Sequence, residues 1–266
     1  MYAVLLHAHQ KIDRVAYRHL LSVLEKDIFF PDFKHIVHFE GNNGPDATKL
    51  KNKENVEQPW HFINPFDVSD TDLHDLIEGH YDNLVTALRA KDTVRSAFEA
   101  AWLAHALVDG LTPAHHYPYE KELEELRGGE SRHSRKGLLG RAYVKGENRR
   151  DSLRRSYQLI GPKGLLMTHA AFEGGAYTII APLRLASAMP SREDLAAVRE
   201  HGLTGLFQRL AREIGGLDMY ARFIESGWTP KLTRDIRREL APRMVLMVTL
   251  AWYSALCDAN LVAEPK

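Results

Sequence analysis

Apolar residues recur along the chain at intervals of three and four, the spacing of helices with one buried face. No stretch alternates convincingly as a strand would. Over residues 9–27, Ile12, Ala16, Leu20 or Leu21, and Leu24 fall on one side with charges between them. That pattern predicts a helix opening near His9, with His7 and His9 at its mouth. A short helix is expected over 31–39 behind Pro31, followed by a Gly/Asn loop, GNNGPD, ending in Asp46. A Lys-rich loop (49–58) leads into PWHFINPFD, where two prolines bracket His61 and favour an extended ligand loop over a helix. The SDTD segment at 69–72 offers a cap and an acidic first turn for a helix running to about Lys91. Next comes a helix rich in Ala and Leu from Phe98 to Val108, expected to stop at Gly110 ahead of Pro113.

Further helices are expected over 119–127, over 163–187 and, as one or two amphipathic pieces, over 191–226. A last segment, 230–260, should break or kink near Pro242, and its apolar half, MVLMVTLAWYSALC, belongs to the core. There is no internal repeat and no linker. The expectation is an all-α, single-domain multi-helix bundle spanning 1–266.

Two pairs of residues stand out against this apolar background. His105 and Asp109 lie four apart in HALVDG, and His169 and Glu173 lie four apart in HAAFEG. That spacing stacks both members on one helix face, with Cβ atoms about 5–6 Å apart. A lone His on an apolar helix is usually a hydrogen-bonded core residue. The string His105-x3-Asp109-x5-His115 is different, because burying two His and an Asp without a shared partner is costly. A metal ion is one such partner, and an imidazole nitrogen and a carboxylate oxygen can each reach it at about 2 Å.

Composition sharpens that reading. Histidine is abundant, with 14 residues, whereas the single cysteine, Cys257, excludes an internal disulfide and a Cys-based zinc site. Lys plus Arg equals Asp plus Glu at 35 each, so overall charge points to no polyanionic partner. Locally the balance differs: residues 132–155 carry nine Lys/Arg against two acids. Such a run reads as a solvated loop or as a guide for a phosphate-bearing substrate. No run of about eighteen apolar residues suggests a membrane span, and MYAVLLHAHQK lacks the basic start of a signal peptide. The expected location is cytoplasmic, or secreted if the chain is a processed form.

In order, the candidate ligands are His9, Asp46, His61, His105, Asp109, His115, His169 and Glu173. That order, with HALVDGLTPAH, the Asp46…PWHFIN pair and HAAFE, resembles the zinc-dependent phospholipase C and single-strand-specific nuclease superfamily. Its members are α-helical proteins holding a zinc cluster in a cleft. The resemblance implies a first zinc on Asp46, His61, His105 and Asp109, and a second on His115, His169 and Glu173. A third would lie on His9 and Asp109, with Asp109 bridging. In the family the third ion is also held by an N-terminal amine, for which His7 is the side-chain substitute here. Two or three zinc ions are therefore expected. Paired ions would acidify a shared water and polarise a phosphoryl oxygen, with Asp46 orienting or deprotonating the water. The implied activity is phosphoester hydrolysis.

The substrate signals are mixed. Glu173 resembles the phospholipases, where the nucleases use Asp, but Ala47 and Gln58 replace aromatics of the phospholipase head-group pocket. Phe62 resembles the base-stacking residue of the nucleases, while Asn64 stands where those enzymes place Asp. Trp60 and Phe62 are candidate substrate contacts along with Asn64, or simply walls of the cleft. The leading expectation is a phosphodiester small molecule or phospholipid head group. Nucleic acid or a nucleotide comes second, and a catalytically inactive metal-binding module is the non-enzyme alternative.

Overall fold

The structure, a computed structural model, describes residues 2–41, 43–45, 62–129 and 144–263, without the side chains of residues 2–7 and Glu120. Among the described residues every regular element is helical. In chain order these are α1 (Tyr2–Val23), α2 (Phe33–Glu40), α3 (Asp72–Arg89) and α4 (Thr93–Leu111), then a 3-10 turn, Pro113–His116. There follow α5 (Tyr119–Leu126), α6 (Arg149–Ile160), α7 (Leu165–Ile180) and a short 3-10 turn, Ala186–Ala188. The chain ends with α8 (Arg192–Gly215), α9 (Met219–Ser226), α10 (Pro230–Asp235), a π turn (Ile236–Leu240) and α11 (Ala241–Asp258).

α4 is the central helix. Asp92 caps it by accepting from the Arg95 N–H at 2.9 Å. Ala97, Ala100, Ala101 and Ala104 are fully buried, and such small side chains let neighbouring helices approach closely. α1, α2, α3 and α11 surround it. Across the contact with α11, the buried Trp252 donates its indole N–H to the Ala100 carbonyl at 3.0 Å. α11 is the other core helix, with nearly every residue from Met244 to Cys257 buried. Together with α10 and the π turn it is long and apolar enough to cross a membrane, but 83% of its apolar window lies inside the molecule. Its composition is that of a core helix.

Several expected boundaries move. α1 starts at Tyr2, so His9 sits in the body of the helix and not at its mouth. Gly110 does not end α4; the helix runs to Leu111 and stops where Thr112 turns extended (ψ 119°) ahead of Pro113, as steric conflict with a following proline requires. Gly110 is needed for packing instead. A Cβ there would lie 2.5 Å from the Phe207 ring and 2.6 Å from Leu73. Residues 149–155, read as part of a basic loop, belong to α6, which Asn148 caps by accepting from the Asp151 N–H at 2.9 Å. The expected break near Pro242 is real, but it is a π turn just before the proline, which sits in the first turn of α11. α8 is kinked at Gly202, whose φ of 71° is accessible to glycine at little cost.

A second, smaller apolar cluster of Phe62, Tyr119, Leu123, Val144 and Leu159 lies under α5 and α6. It adjoins the site described next.

Candidate metal centre

α4 presents His105 and Asp109 on one face, and their side chains meet at 3.2 Å (Nε2 to Oδ2). From α1, His9 stacks on His105 with ring centroids 4.1 Å apart and brings Nε2 to 3.4 Å from Asp109 Oδ1. All three residues are buried. Beyond the end of α4, the 3-10 turn carries His115 to α7, where His169 and Glu173 lie one helical turn apart. His115 Nε2 and His169 Nε2 both approach Glu173 Oε1, at 3.0 and 3.1 Å. Two groups result, His9/His105/Asp109 and His115/His169/Glu173, each with donor atoms within 4.8 Å of one another. Sequence spacing identified His105, Asp109, His115, His169 and Glu173, and His9 was expected from the family resemblance, as a partner of Asp109.

The hydrogen bonds on the far sides of the rings decide what these donors can accept. His115 Nδ1 lies 2.9 Å from the Asp109 backbone carbonyl. A carbonyl only accepts, so Nδ1 carries the proton and Nε2 of the neutral ring is a lone pair. That lone pair faces a carboxylate oxygen at 3.0 Å. Two acceptors at this distance need a cation, either an added proton or a metal ion. Ligand atoms on a tetrahedral ion with bonds of about 2 Å sit about 3.3 Å apart, which matches the 3.0–3.4 Å separations in both groups. The residues present therefore fit a divalent metal.

The first group has the same construction. His105 Nδ1 lies 2.9 Å from Glu40 Oε1, leaving Nε2 towards Asp109. A carboxylate behind a ligand imidazole fixes its tautomer and raises its basicity. Glu40 is fully buried on α2 and also lies 3.8 Å from His9 Nδ1.

Electrostatics follow from this crowding. Burial alone would push the His105 pKa down, but Asp109 and Glu40 outweigh it and hold the imidazole well above its ordinary value. Burial would raise Asp109 and Glu173. His105 and His115 hold Asp109 far below the usual carboxylate range, and His169 and His115 do the same to Glu173. Each anion is thus kept charged by its imidazoles. His116 plays another part: it donates to the Gly110 carbonyl at 2.9 Å, at the end of α4, and burial pushes its pKa down to about 4.

No family model, curated protein or solved structure matches the chain.

Of the other expected site residues, Asp46, Trp60 and His61 lie outside the described residues, as does the side chain of His7. Phe62 is buried, stacked on Tyr119 at 5.5 Å and edge-on to His115 at 5.2 Å. It walls the second group. Asn64 is exposed; its Oδ1 accepts from the Phe66 N–H at 3.1 Å and its backbone N–H donates to Asp70, so it shapes a turn.

Sequence reasoning missed two residues. One is Glu40, at the end of HIVHFE. The other is Asp13, one turn after His9 in the same His-x3-Asp spacing that marks His105 and Asp109. Asp13 is fully buried, and neither carboxylate oxygen has a hydrogen-bond partner among the described residues. Burial and the nearby Glu40 push its pKa well up, against the pull of His105.

Two spaces adjoin the centre. An open cleft of about 580 Å³ reaches Thr168, next to His169 in α7, and is lined by Tyr117 and Tyr220, by Arg154, Arg155 and Lys163, and by Glu122, Glu125 and Asp151. Tyr117 donates to Glu122 within it, and burial and that carboxylate push the phenol up to about 12. A small apolar pocket of about 50 Å³, walled by Ile12, Val108, Phe172 and Met244, opens at His9, Asp109 and Glu173.

Proposed function

We propose that the protein is a zinc-dependent phosphoester hydrolase of the all-α phospholipase C and nuclease kind, holding two or three zinc ions. Its proposed substrate is a phosphodiester small molecule or a phospholipid head group. The observation that carries this reading is the pair of converging donor sets, in which the His115 lone pair faces Glu173 while its other nitrogen is committed to a carbonyl. A His/Asp/Glu set without sulfur suits zinc, though such sites do not strongly select it. Ions bound there would polarise a phosphoryl oxygen and acidify a water.

The chain's own groups supply orientation. Glu40 and the Asp109 carbonyl hold the Nδ1 protons of His105 and His115, so that both rings aim Nε2 inward. Asp109 serves the first group through its carboxylate and the second through its backbone, which ties the two together. The cleft next to Thr168 is large enough for a head group, and its wall carries both cations, Arg154, Arg155 and Lys163, and carboxylates, Glu122, Glu125 and Asp151. Asp46, His61 and Trp60 enter the proposal from the sequence resemblance alone. Phe62 has one ring face against Tyr119, which suits a wall better than a base-stacking platform and sets a nucleic-acid substrate second.

Metal analysis of protein expressed with zinc, together with turnover of bis-p-nitrophenyl phosphate, tests the proposal. Two or three equivalents of zinc and chelator-sensitive, zinc-restored hydrolysis are expected. Less than one equivalent of any transition metal would overturn it. Full metal loading with no turnover of this ester or of phosphatidylcholine would make the protein a binding module instead.

A further inference from the structure

α6 carries an exposed face that the proposed chemistry does not use. Its inner face buries Ser152 and Leu159. Its outer face displays Leu153, Tyr157 and Ile160, which are 72%, 66% and 46% exposed. Positions 153, 157 and 160 follow the i, i+4, i+7 spacing of a single stripe. Just after α6, Leu166 at the start of α7 is 39% exposed as well. Four of the eleven large apolar side chains exposed among the described residues thus fall within fourteen positions. Scattered exposed apolar residues need no explanation, but a contiguous row does.

Within residues 149–166 the exposed charges share one sign, with the exposed Glu147 just before them. Arg149, Arg150, Arg154 and Lys163 are all exposed. The single acid between residues 149 and 166, Asp151, is half-buried and paired to Arg155 at 2.9 Å. The outward surface of this stretch is therefore aliphatic and aromatic side chains set among cations, with no exposed carboxylate.

We propose that this face of α6 docks on an anionic lipid surface. Lipid head groups of negative charge attract Arg149 and Arg150, which flank the row, and the acyl boundary accepts the apolar side chains, so one partner satisfies both halves of the pattern. A second copy of the chain fits poorly, because a self-complementary contact would set these cations against each other. A nucleic acid would use the cations but leave Leu153, Ile160 and Leu166 without a role. α6 also lines the substrate cleft through Asp151, Arg154, Arg155 and Gln158. On the helix those positions lie well around from 153, 157 and 160, so the docking row and the cleft wall are separate faces of α6. The docking itself requires no metal and stands apart from the hydrolase reading.

Co-sedimentation with vesicles, in the presence of chelator, tests it. The probes are phosphatidylcholine alone and phosphatidylcholine mixed with phosphatidylglycerol. The protein should sediment with the mixed vesicles only, and less as salt is raised. Replacing Leu153, Tyr157 and Ile160 together by Ser should weaken binding roughly tenfold or more. The double variant Arg149→Gln/Arg150→Gln should weaken it to a similar degree. These positions are exposed, so circular dichroism and melting should stay unchanged. Turnover of soluble bis-p-nitrophenyl phosphate, if present, should also stay unchanged, which separates this idea from the hydrolase reading. Three outcomes would overturn the proposal: no binding to mixed vesicles, binding indifferent to both variants, or equal binding to both vesicle types. Concentration-dependent dimerisation abolished by the triple variant would reassign the face to self-association. Single-stranded DNA binding lost in the arginine variant and kept in the triple variant would reassign it to nucleic acid.

Discussion

A single hydrogen bond, His105 Nδ1 to Glu40 Oε1 at 2.9 Å, turns the other ring nitrogen of His105 towards Asp109. His105, Asp109, His169 and Glu173 were legible because a four-residue spacing fixes which side chains share a helix face. Glu40 was not, because it lies 65 residues from His105 and meets it only when α2 packs on α4. Its role as the orienting carboxylate has a direct test. Glu40→Gln keeps the volume of the side chain and removes its charge. Zinc affinity, read by competition with a chromophoric chelator, should then fall roughly ten- to a hundredfold, with little change in helicity. Unchanged affinity would mean that Glu40 does not tune His105.

At the scale of elements, apolar periodicity located the helices better than it located their ends. α1 was placed too late because MYAVLL carries no capping signal, and nothing in an apolar run says where its first turn begins. α6 was hidden for a different reason. Only Ser152 and Leu159 of its twelve residues are buried, so its pattern is mostly that of solvent. Gly110 misled because glycine near a proline resembles a helix end, whereas its real constraint is the ring of Phe207 from α8, 97 positions away in the sequence. Two glycine substitutions separate these meanings. Gly79 on α3 is exposed, with nothing near its missing Cβ. Gly79→Ala should therefore stabilise by up to about 1 kcal/mol through helix propensity. Gly110→Ala gains the same propensity but forces a Cβ to 2.5 Å from a fully buried ring. Overpacking of that kind costs about 1–3 kcal/mol, so the net effect should be destabilising. Denaturant midpoints moving in opposite directions would bear this out, and a stabilising Gly110→Ala would refute it.

At the scale of the whole molecule, the two donor groups are one structure because Asp109 belongs to both. Its carboxylate lies 3.4 Å from His9 and 3.2 Å from His105, and its carbonyl fixes the ring of His115. Glu173, by contrast, meets His115 and His169 of the second group. The sequence placed each pair on its helix; that α1, α4 and α7 bring them to one centre is a property of the packed fold. Metal binding adds free energy to the folded state alone, about 2.7 kcal/mol per site at a hundredfold excess over Kd. Wild-type protein should therefore gain in melting temperature on moving from chelator to zinc, by the sum of its sites. Glu173→Gln should lose about one equivalent of metal and keep part of that gain, since His9, His105 and Asp109 are untouched. Asp109→Asn removes a carboxylate on which His9 and His105 both converge, and leaves Glu40 as the nearest anion to His105. It should lose more than one equivalent and show the smallest gain of the three. Its backbone carbonyl still orients His115, so the deficit would be due to the carboxylate itself. Should both variants lose the same single ion and respond alike to zinc, Asp109 is not shared and the two groups act independently.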